Sequence, residues 1–222
     1  MKKKFWVGLA MVLILAGSGM VGTARATLIV QDLSTPGDSQ LTYDSDTGLS
    51  WLNISNTTLL SYNEILSGIG GFITAKGFRY ATGDEVGTLL ANYGITQLPW
   101  TYATGTGHGA VTSLMTQFLG VTWANYNSRA IVGITGDADL YNQIPTHHYA
   151  YLYSNDYGQW TAKQDWGQVF DDYAGQPVTG YEISSFLVKD PSPSAPVPEP
   201  ATMLLLGVGL AGLALYRRRR GH

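Results

Sequence analysis

An apolar segment lies near each end of the chain, and each is flanked by a cluster of basic residues. The first runs from Phe5 to Leu15 behind three lysines, and the second runs from Ala201 to Leu215 ahead of four arginines. Segments of this kind insert into membranes or are cut by processing enzymes, and they do not pack into a soluble core. The 170 residues from 27 to 196 are left as the body of the protein, of which residues 27–190 are predicted to fold as one domain.

The composition excludes several kinds of site and partner. The chain contains no cysteine, which rules out disulfides, zinc–thiolate sites, iron–sulfur clusters and cysteine nucleophiles. Eight of the 13 basic residues lie in the two ends, so residues 27–196 carry five basic against 15 acidic residues, a formal charge of −10. Because nucleic acids bind basic surfaces, we predict no nucleic-acid partner. An acidic, soluble extracellular domain is the simpler interpretation.

The N-terminal segment is typical of a secretory signal peptide. Lysines at positions 2–4, a short apolar stretch and the small residues Ala24 and Ala26 form the n-region, the h-region and the A-x-A site that signal peptidase recognises. We predict that residues 1–26 are removed by cleavage before Thr27. The alternative is an uncleaved membrane anchor, which the short apolar stretch and the well-placed cleavage site disfavour.

The C-terminal segment combines a Pro-rich motif with a short apolar helix. The 15 apolar residues at 201–215 would span roughly 22 Å as a helix, against a bilayer core of about 30 Å. The basic cluster behind them should stay cytoplasmic, which places the body outside. Residues 191–196, rich in Pro and Ser, are predicted to form an extended spacer between the domain and the motif.

This end of the chain, residues 197–220, resembles the PEP-CTERM sorting signal of Gram-negative bacteria. The resemblance implies that an exosortase recognises the signal and removes or exchanges the tail, in a host that also makes exopolysaccharide. The apolar helix would hold the protein in the membrane before processing, and the protein would then reach the cell envelope, the cell surface or the extracellular matrix. The alternative is an ordinary single-span anchor. The residues that carry the resemblance are Val197, Pro198, Glu199, Pro200, Arg217, Arg218, Arg219 and Arg220.

No cofactor site is predicted. The glycines at 207–212 fit the G-x-G-x-x-G pattern of dinucleotide-binding loops. That pattern needs a preceding strand and a βαβ unit, whereas these glycines lie in the apolar tail. They are better explained as the small faces of a membrane helix.

The body is predicted to be α+β, with a mostly antiparallel sheet and two or three helices. Ser61 with Glu64 and Thr82 with Glu85 are capping boxes, which predict the starts of two helices. Helices are expected mainly in the first half and strands in the second, which favours α+β over an alternating parallel sheet. A third helix is predicted at 110–119, and strands are predicted at 28–33, 41–43, 49–52, 130–135, 147–154, 159–162 and 181–189, with a hairpin turn at 44–48.

Three short blocks of the body are similar to secreted bacterial domains, including the C-terminal domain of collagen-like adhesins. The blocks are residues 44–52, 77–86 and 185–189, which resemble a D-x-x-T-G-L-x-W pattern, a G-W-R-x-x-T-x-x-E-L pattern and a closing strand. The resemblance implies a C-type-lectin-like fold and adhesion to glycans. The chain departs from the pattern at Tyr80 and Ala81, which replace Leu-Pro, and in its lack of cysteine.

Aromatic residues suggest where a glycan would bind. Residues 27–196 contain 23 aromatic residues but only five Lys or Arg. Aromatic rings suit sugars because the ring covers C–H groups while polar edges meet hydroxyls. The alternative is that these rings pack under loops or cover a sheet. The predicted glycan-facing residues are Tyr149, Tyr151, Tyr153 and Trp160.

A catalytic interpretation rests on acidic residues near the end of the body. A glycosidase needs two carboxyl groups flanking a cleft, and neither a G-x-S-x-G elbow nor an H-E-x-x-H motif is present. We therefore predict no catalytic residue, and we keep a polysaccharide hydrolase as the alternative. Its carboxylate pair would come from Asp165, Asp171, Asp172 or Glu182.

No metal site is predicted. His147 and His148 are adjacent on a predicted strand, so their side chains point to opposite faces and cannot readily share a metal. Pairs of aspartates that resemble parts of a calcium loop are better explained as turns: Asp44 with Asp46, and Asp137 with Asp139.

Arg79 lies just before the second predicted helix. We expect it to form a buried structural ion pair with Glu85 or Asp84, and the alternative is that it holds an acidic ligand.

Taken together, these patterns predict an exported surface or matrix protein whose body associates with exopolysaccharide without catalysis. The polysaccharide hydrolase and a purely structural envelope protein remain as alternatives.

Overall fold

The computed structural model describes residues 27–96, 98, 101–174 and 180–191. The predicted signal peptide, most of the spacer and the sorting signal therefore lie outside the described residues. Among the described residues, no helix is long and apolar enough to cross a membrane. The apolar helix predicted at 201–215 falls in the part that is not described.

The described residues form eleven strands, two 3₁₀ turns and four helical segments. The strands are β1 (Leu28–Gln31), β2 (Leu41–Asp44), β3 (Ser50–Leu52), β4 (Arg79–Tyr80), β5 (Ala103–Thr104), β6 (Trp123–Ala124), β7 (Ser128–Tyr141), β8 (Ile144–Asn155), β9 (Gln159–Phe170), β10 (Ser184–Ser185) and β11 (Leu187–Lys189). The helices are α1 (Tyr62–Leu66), α2 (Gly83–Asn92), α3 (His108–Ser113) and a π-helical segment (Leu114–Leu119), and the 3₁₀ turns are Ile54–Thr57 and Ile69–Gly71. Helices with mostly antiparallel strands confirm the predicted α+β class.

Both predicted capping boxes are present at the starts of their helices. The Ser61 hydroxyl accepts from the Glu64 amide and the Glu64 carboxylate accepts from the Ser61 amide, which starts α1. Thr82 and Glu85 do the same for α2. The third helix begins two residues earlier than predicted and continues as a π-helix to Leu119.

The first sheet contains the predicted hairpin. Its strand order is β1-β2-β3-β11-β4, and every neighbouring pair is antiparallel. Asp44 closes the turn between β2 and β3, because its carboxylate accepts from the Asp46 amide and the Thr47 hydroxyl. Gly48 has φ +73°, the left-handed conformation that this turn requires. Asp44 and Asp46 therefore form a turn, as predicted.

The second sheet is built on three long strands. Its order is β10-β7-β8-β9-β5, with β6 also paired to β7. The predicted strands at 130–135, 147–154 and 159–162 are present, but β7, β8 and β9 have 14, 12 and 12 residues. The prediction of a turn at Asp137 and Asp139 is wrong, because both residues lie within β7. The Asp137 carboxylate accepts from the Gly83 amide at the start of α2.

The last predicted strand, 181–189, is two strands in two sheets. Ser184–Ser185 pairs in parallel with β7, and Leu187–Lys189 pairs with β3 and β4 in the first sheet. The chain changes sheets at Phe186, which is buried edge to face against Trp51 with ring centroids 6.2 Å apart. This crossing joins the two sheets around a shared core.

Candidate functional site

The four predicted glycan-facing aromatics are buried. Tyr149, Tyr151 and Tyr153 lie in an aromatic cluster with Trp166 and Tyr181, and Tyr151 is only 2% exposed. Trp160 is buried in the other part of the core. Because Trp160 pairs with Ser154, and Thr161 with Tyr153, Trp160 points to the opposite face from the tyrosines. The prediction that these four residues form one exposed, glycan-facing surface is therefore wrong.

An exposed pair of aromatic rings that line one groove lies instead at one end of β7, β8 and β9. We define the distal ribbon as residues 137–148 and 164–172. Asn142 and Gln143 connect β7 to β8 with φ +52° and +67°. Two consecutive left-handed residues between paired strands are typical of a type I′ hairpin turn. The pair Tyr141 and Ile144 closes this turn.

Two β-bulges separate the distal ribbon from the body of the sheet. The register of β7 shifts between Ile134 and Ala138, opposite His148. The register between β8 and β9 shifts between Tyr149 and Tyr151. Bulges bend a strand and re-aim its side chains, and they are common beside functional sites. Both β7 and β9 therefore change direction where the distal ribbon joins the rest of the sheet.

One face of the distal ribbon carries a groove that two aromatic rings help to line. Alternation along the paired strands places Tyr141, Thr146, Gln168 and Phe170 on the same face. These four residues line a cavity of about 280 Å³, which we call the aromatic groove. Tyr141 and Phe170 are 56% and 43% exposed, and their ring centroids are 6.1 Å apart with planes at 75°.

The floor of the aromatic groove is polar. The Thr146 hydroxyl is buried and has no hydrogen-bond partner among the residues described, and the residue as a whole is 2% exposed. Buried polar atoms nearly always have a partner, so such an atom at the floor of a groove calls for an explanation. Beside it, the Gln168 amide donates to Asp139.

His148 links both outer strands at the inner end of the groove. Its Nδ1 lies 2.8 Å from Asp165 Oδ1 on β9, and its Nε2 lies 3.4 Å from Asp139 Oδ2 on β7. Burial is the largest single influence on the pKa of His148 and lowers it, but the hydrogen bonds and charges of Asp165 and Asp139 together raise the pKa above its ordinary value of 6.5. The His148 side chain is partly exposed.

The opposite face of the ribbon packs against α1. His147 Nδ1 lies 2.8 Å from Asp171 Oδ1, and the Tyr62 ring stacks on His147 at 3.5 Å. Asn63 Nδ2 donates to Asp172 Oδ1 at 2.6 Å. Asp171 and Asp172 line a second depression, of about 230 Å³, between α1 and the ribbon.

The four acidic residues considered for a hydrolase do not all lie at one place in the structure. Asp171 and Asp172 share the α1-side depression, whereas Asp165 is bound to His148 at the bulge of β9. Glu182 precedes β10. In the described part of the chain, no group of three His, Cys, Asp or Glu side chains is arranged to hold a metal ion.

None of the residues of the aromatic groove was predicted from the sequence. One local signal was present, because Asn142 and Gln143 stand between the apolar pairs Leu140–Tyr141 and Ile144–Pro145. An asparagine at this position favours a type I′ turn. A hairpin with that turn places Tyr141 at its exposed end. The partnership of Tyr141 with Phe170 requires the pairing of β8 with β9, which no local pattern shows.

Comparison with known protein families gives one match, to the PEP-CTERM protein-sorting motif at residues 196–220. The match confirms the predicted sorting signal, and it implies an exported protein that an exosortase sorts to the cell envelope or surface. Neither the curated proteins nor the solved structures give a match to this chain. The C-type-lectin-like resemblance therefore stays a prediction.

Proposed function

We propose that this exported PEP-CTERM protein is a non-catalytic module that associates with the exopolysaccharide of its host at the cell surface or in the extracellular matrix. The observation that carries the proposal is the aromatic groove on the distal ribbon. The sorting motif supports the proposal, since it directs the protein to the cell envelope or surface, where it would meet such a polymer.

The groove has the chemistry that a sugar chain needs. The rings of Tyr141 and Phe170 provide apolar faces for the C–H groups of a sugar, and the Tyr141 hydroxyl adds a polar edge. The floor offers the amide of Gln168 for sugar hydroxyls, and the buried hydroxyl of Thr146 lies beside it. At about 280 Å³ the groove is slightly smaller than the roughly 300–1,000 Å³ of sites that enclose a drug-sized ligand. A short segment of a long chain, bound at an open surface, fits that size.

The experiment is a pull-down of the processed protein on exopolysaccharide purified from the host. The double variant Tyr141→Ala with Phe170→Ala removes both ring faces, and we expect about a tenfold weaker association. The matched control is Tyr126→Ala with Tyr157→Ala, which removes two rings that are 97% and 75% exposed at the other end of the same strands. The control should bind as the wild type does.

Two results would contradict the proposal. Failure of the wild type to bind any host polysaccharide would favour a purely structural envelope protein. Equal weakening in both double variants would mean that the groove is not the contact surface.

A hydrolase is the second candidate, because Asp171 and Asp172 line one depression together. Each carboxylate is held by another side chain, His147 or Asn63. Retaining and inverting glycosidases instead place two carboxyl groups about 5–5.5 Å or 6.5–9.5 Å apart across the substrate. The test is release of reducing ends from host polysaccharide. Release that Asp172→Asn abolishes would establish the enzyme and replace the binding proposal.

A further inference from the structure

We propose that the aromatic groove selects polysaccharide segments with free amino groups, and prefers them to N-acetylated or uronic-acid segments. This inference rests on the proposed function and adds the chemical class of the ligand. It follows from the charges around the groove and from the unpartnered hydroxyl at its floor.

The distal ribbon is acidic throughout. It contains two histidines and no Lys or Arg, and its five aspartates are Asp137, Asp139, Asp165, Asp171 and Asp172. With both histidines protonated it still carries a formal charge of −3. A surface of one sign attracts a partner of the opposite sign and repels a like-charged one. A polymer of uronic acids would therefore be repelled, whereas a polymer carrying ammonium groups would be attracted.

Two of these acids belong to the face that carries the groove. Asp139 is the cross-strand partner of Thr146, so its carboxylate lies next to the floor residue. Its side chain remains 47% exposed although its Oδ2 accepts from Gln168 and lies near His148 Nε2. Asp165 stands at the inner end of the same face, beyond His148. An ammonium group on a sugar packed in the groove against its aromatic rings would find a carboxylate beside it.

The Thr146 hydroxyl is an independent indication of a polar ligand. It is buried at the floor of an otherwise open groove, and no described residue forms a hydrogen bond with it. A hydroxyl can both donate and accept, so it can bind an amino group or a neighbouring sugar hydroxyl. An apolar ligand would leave it unsatisfied, at a cost that native proteins avoid. The floor therefore favours a ligand with hydrogen-bonding groups over a hydrophobic one.

The test compares one oligosaccharide with and without its charge. Glucosamine oligomers prepared from chitosan and the same oligomers after N-acetylation are titrated into the processed protein by calorimetry. We expect the amino form to bind about tenfold more tightly than the acetylated form. The difference should shrink at high salt, because screening weakens attraction between exposed charges.

Two charge-neutralising variants distinguish attraction by the groove from attraction by the negative charge of the protein as a whole. Asp139→Asn should weaken binding of the amino oligomer by up to about fivefold, the range for one exposed charge pair, and leave the acetylated oligomer unchanged. Asp156→Asn removes the same charge in the turn at the other end of β8 and β9, where Asp156 pairs with Arg129. This control should bind both oligomers as the wild type does.

The outcomes distinguish the two proposals. If host exopolysaccharide binds through Tyr141 and Phe170 but both oligomers bind equally well, the amino-group inference is overturned and the proposed function stands. If the amino oligomer binds and Asp139→Asn acts no differently from Asp156→Asn, the attraction is general and the inference is again overturned. If neither oligomer binds while alginate binds in the presence of Ca²⁺, the acids serve a cation bridge and the inference is wrong. If no polysaccharide binds, both proposals fail.

Discussion

At the scale of single residues, Arg79 is the best-connected charge in the described part of the chain. Its guanidinium lies 2.7 Å from Glu85 Oε1 and 2.6 Å from Asp190 Oδ1, and it also donates to the Tyr80 carbonyl. The expected ion pair with Glu85 is therefore confirmed, but the expectation that it is buried is wrong, since the two side chains are 40% and 26% exposed. Arg79 therefore links Glu85, in the capping box of α2, to Asp190, directly after the end of β11. The Arg79 hydrogen bonds lower the pKa of Glu85 and that of Asp190, although burial opposes both shifts.

We predict that Arg79→Lys lowers the free energy of unfolding by about 1 kcal/mol, because an ammonium group cannot reproduce the fork that holds two carboxylates. The value is small because the Arg79 side chain is 40% exposed. Urea unfolding measures it. The control Arg129→Lys alters one longer pair, at 3.3 Å from Asp156, and should change stability by less than about 0.5 kcal/mol. Equal losses in the two variants would argue against the role assigned to Arg79.

His148 supplies a prediction about pH. Because its folded pKa is raised above 6.5, its charged contacts stabilise the ribbon fully below pH 6.5, and this contribution is lost as the pH rises through the folded pKa. An NMR titration should find the His148 ring titrating above 6.5. Asp165→Asn, which affects the 2.8 Å contact, should lower that pKa more than Asp139→Asn, which affects the 3.4 Å contact. The opposite order, or a wild-type pKa at or below 6.5, would contradict the assignment.

The starts of α1 and α2 could be predicted to the residue because a capping box is a local device. Ser61 and Glu64 satisfy each other's backbone amides whatever the rest of the chain does. The location of Tyr151 could not be predicted in the same way. Alternation along a strand shows which side chains share a face, but burial depends on what packs against that face.

At the scale of elements, β7 lies against the core at Gly133 with no room for a side chain. A methyl group at Gly133 would overlap the Phe186 ring and lie 2.8 Å from Ile54 Cδ1. Since Phe186 is where the chain passes from one sheet to the other, crowding here disturbs both sheets. Gly133 is therefore required by close approach.

We predict that Gly133→Ala lowers the free energy of unfolding by about 1–3 kcal/mol, the usual cost of overpacking a core. The matched control is Gly109→Ala in α3, where an added methyl group meets no atom within 4 Å. That change should be neutral or stabilise by up to about 1 kcal/mol, because alanine favours helix. Both are read from thermal or urea unfolding. A neutral Gly133→Ala would show that the core between the sheets is looser than the structure indicates.

The strands β7, β8 and β9 extend further than their sequence pattern indicates. Asp137, Asp139 and Pro145 are residues that favour turns, yet each lies within a strand because its neighbours pair across the ribbon. Tyr141 and Phe170, which form the walls of the groove, are 29 residues apart in the sequence. They belong to β7 and β9, which are not neighbouring strands in the sheet. Only the intervening strand β8 brings them together, and this is the information that a single sequence lacks.

At the scale of the whole molecule, the ends of the chain were easier to interpret than its body. Targeting signals are linear and are recognised by enzymes as sequence, so the motif at 196–220 could be identified without knowing any fold. The α+β class also followed from periodicity and capping. The division of residues 184–189 between two sheets did not, because a one-residue crossing at Phe186 leaves no signature in composition or spacing.

We predict that the mass of the protein in its host depends on the exosortase. In the wild-type strain the intact mass should correspond to a chain that begins at Thr27 and has lost or exchanged its tail. In a strain without the exosortase the tail should remain, and replacing residues 197–200 by alanine should have the same effect in the wild-type strain. A tail that remains in both strains would mean that the C-terminus is a plain anchor.

The most direct test of the central claim, that the exported protein holds polysaccharide in the aromatic groove, is an NMR titration of the isotope-labelled, processed protein with fragments of host exopolysaccharide. We expect the largest amide and ring shifts to fall on Tyr141, Thr146, Gln168 and Phe170, with no comparable shifts at Tyr126 or Tyr157. Shifts centred elsewhere, or none at saturating fragment, would contradict it.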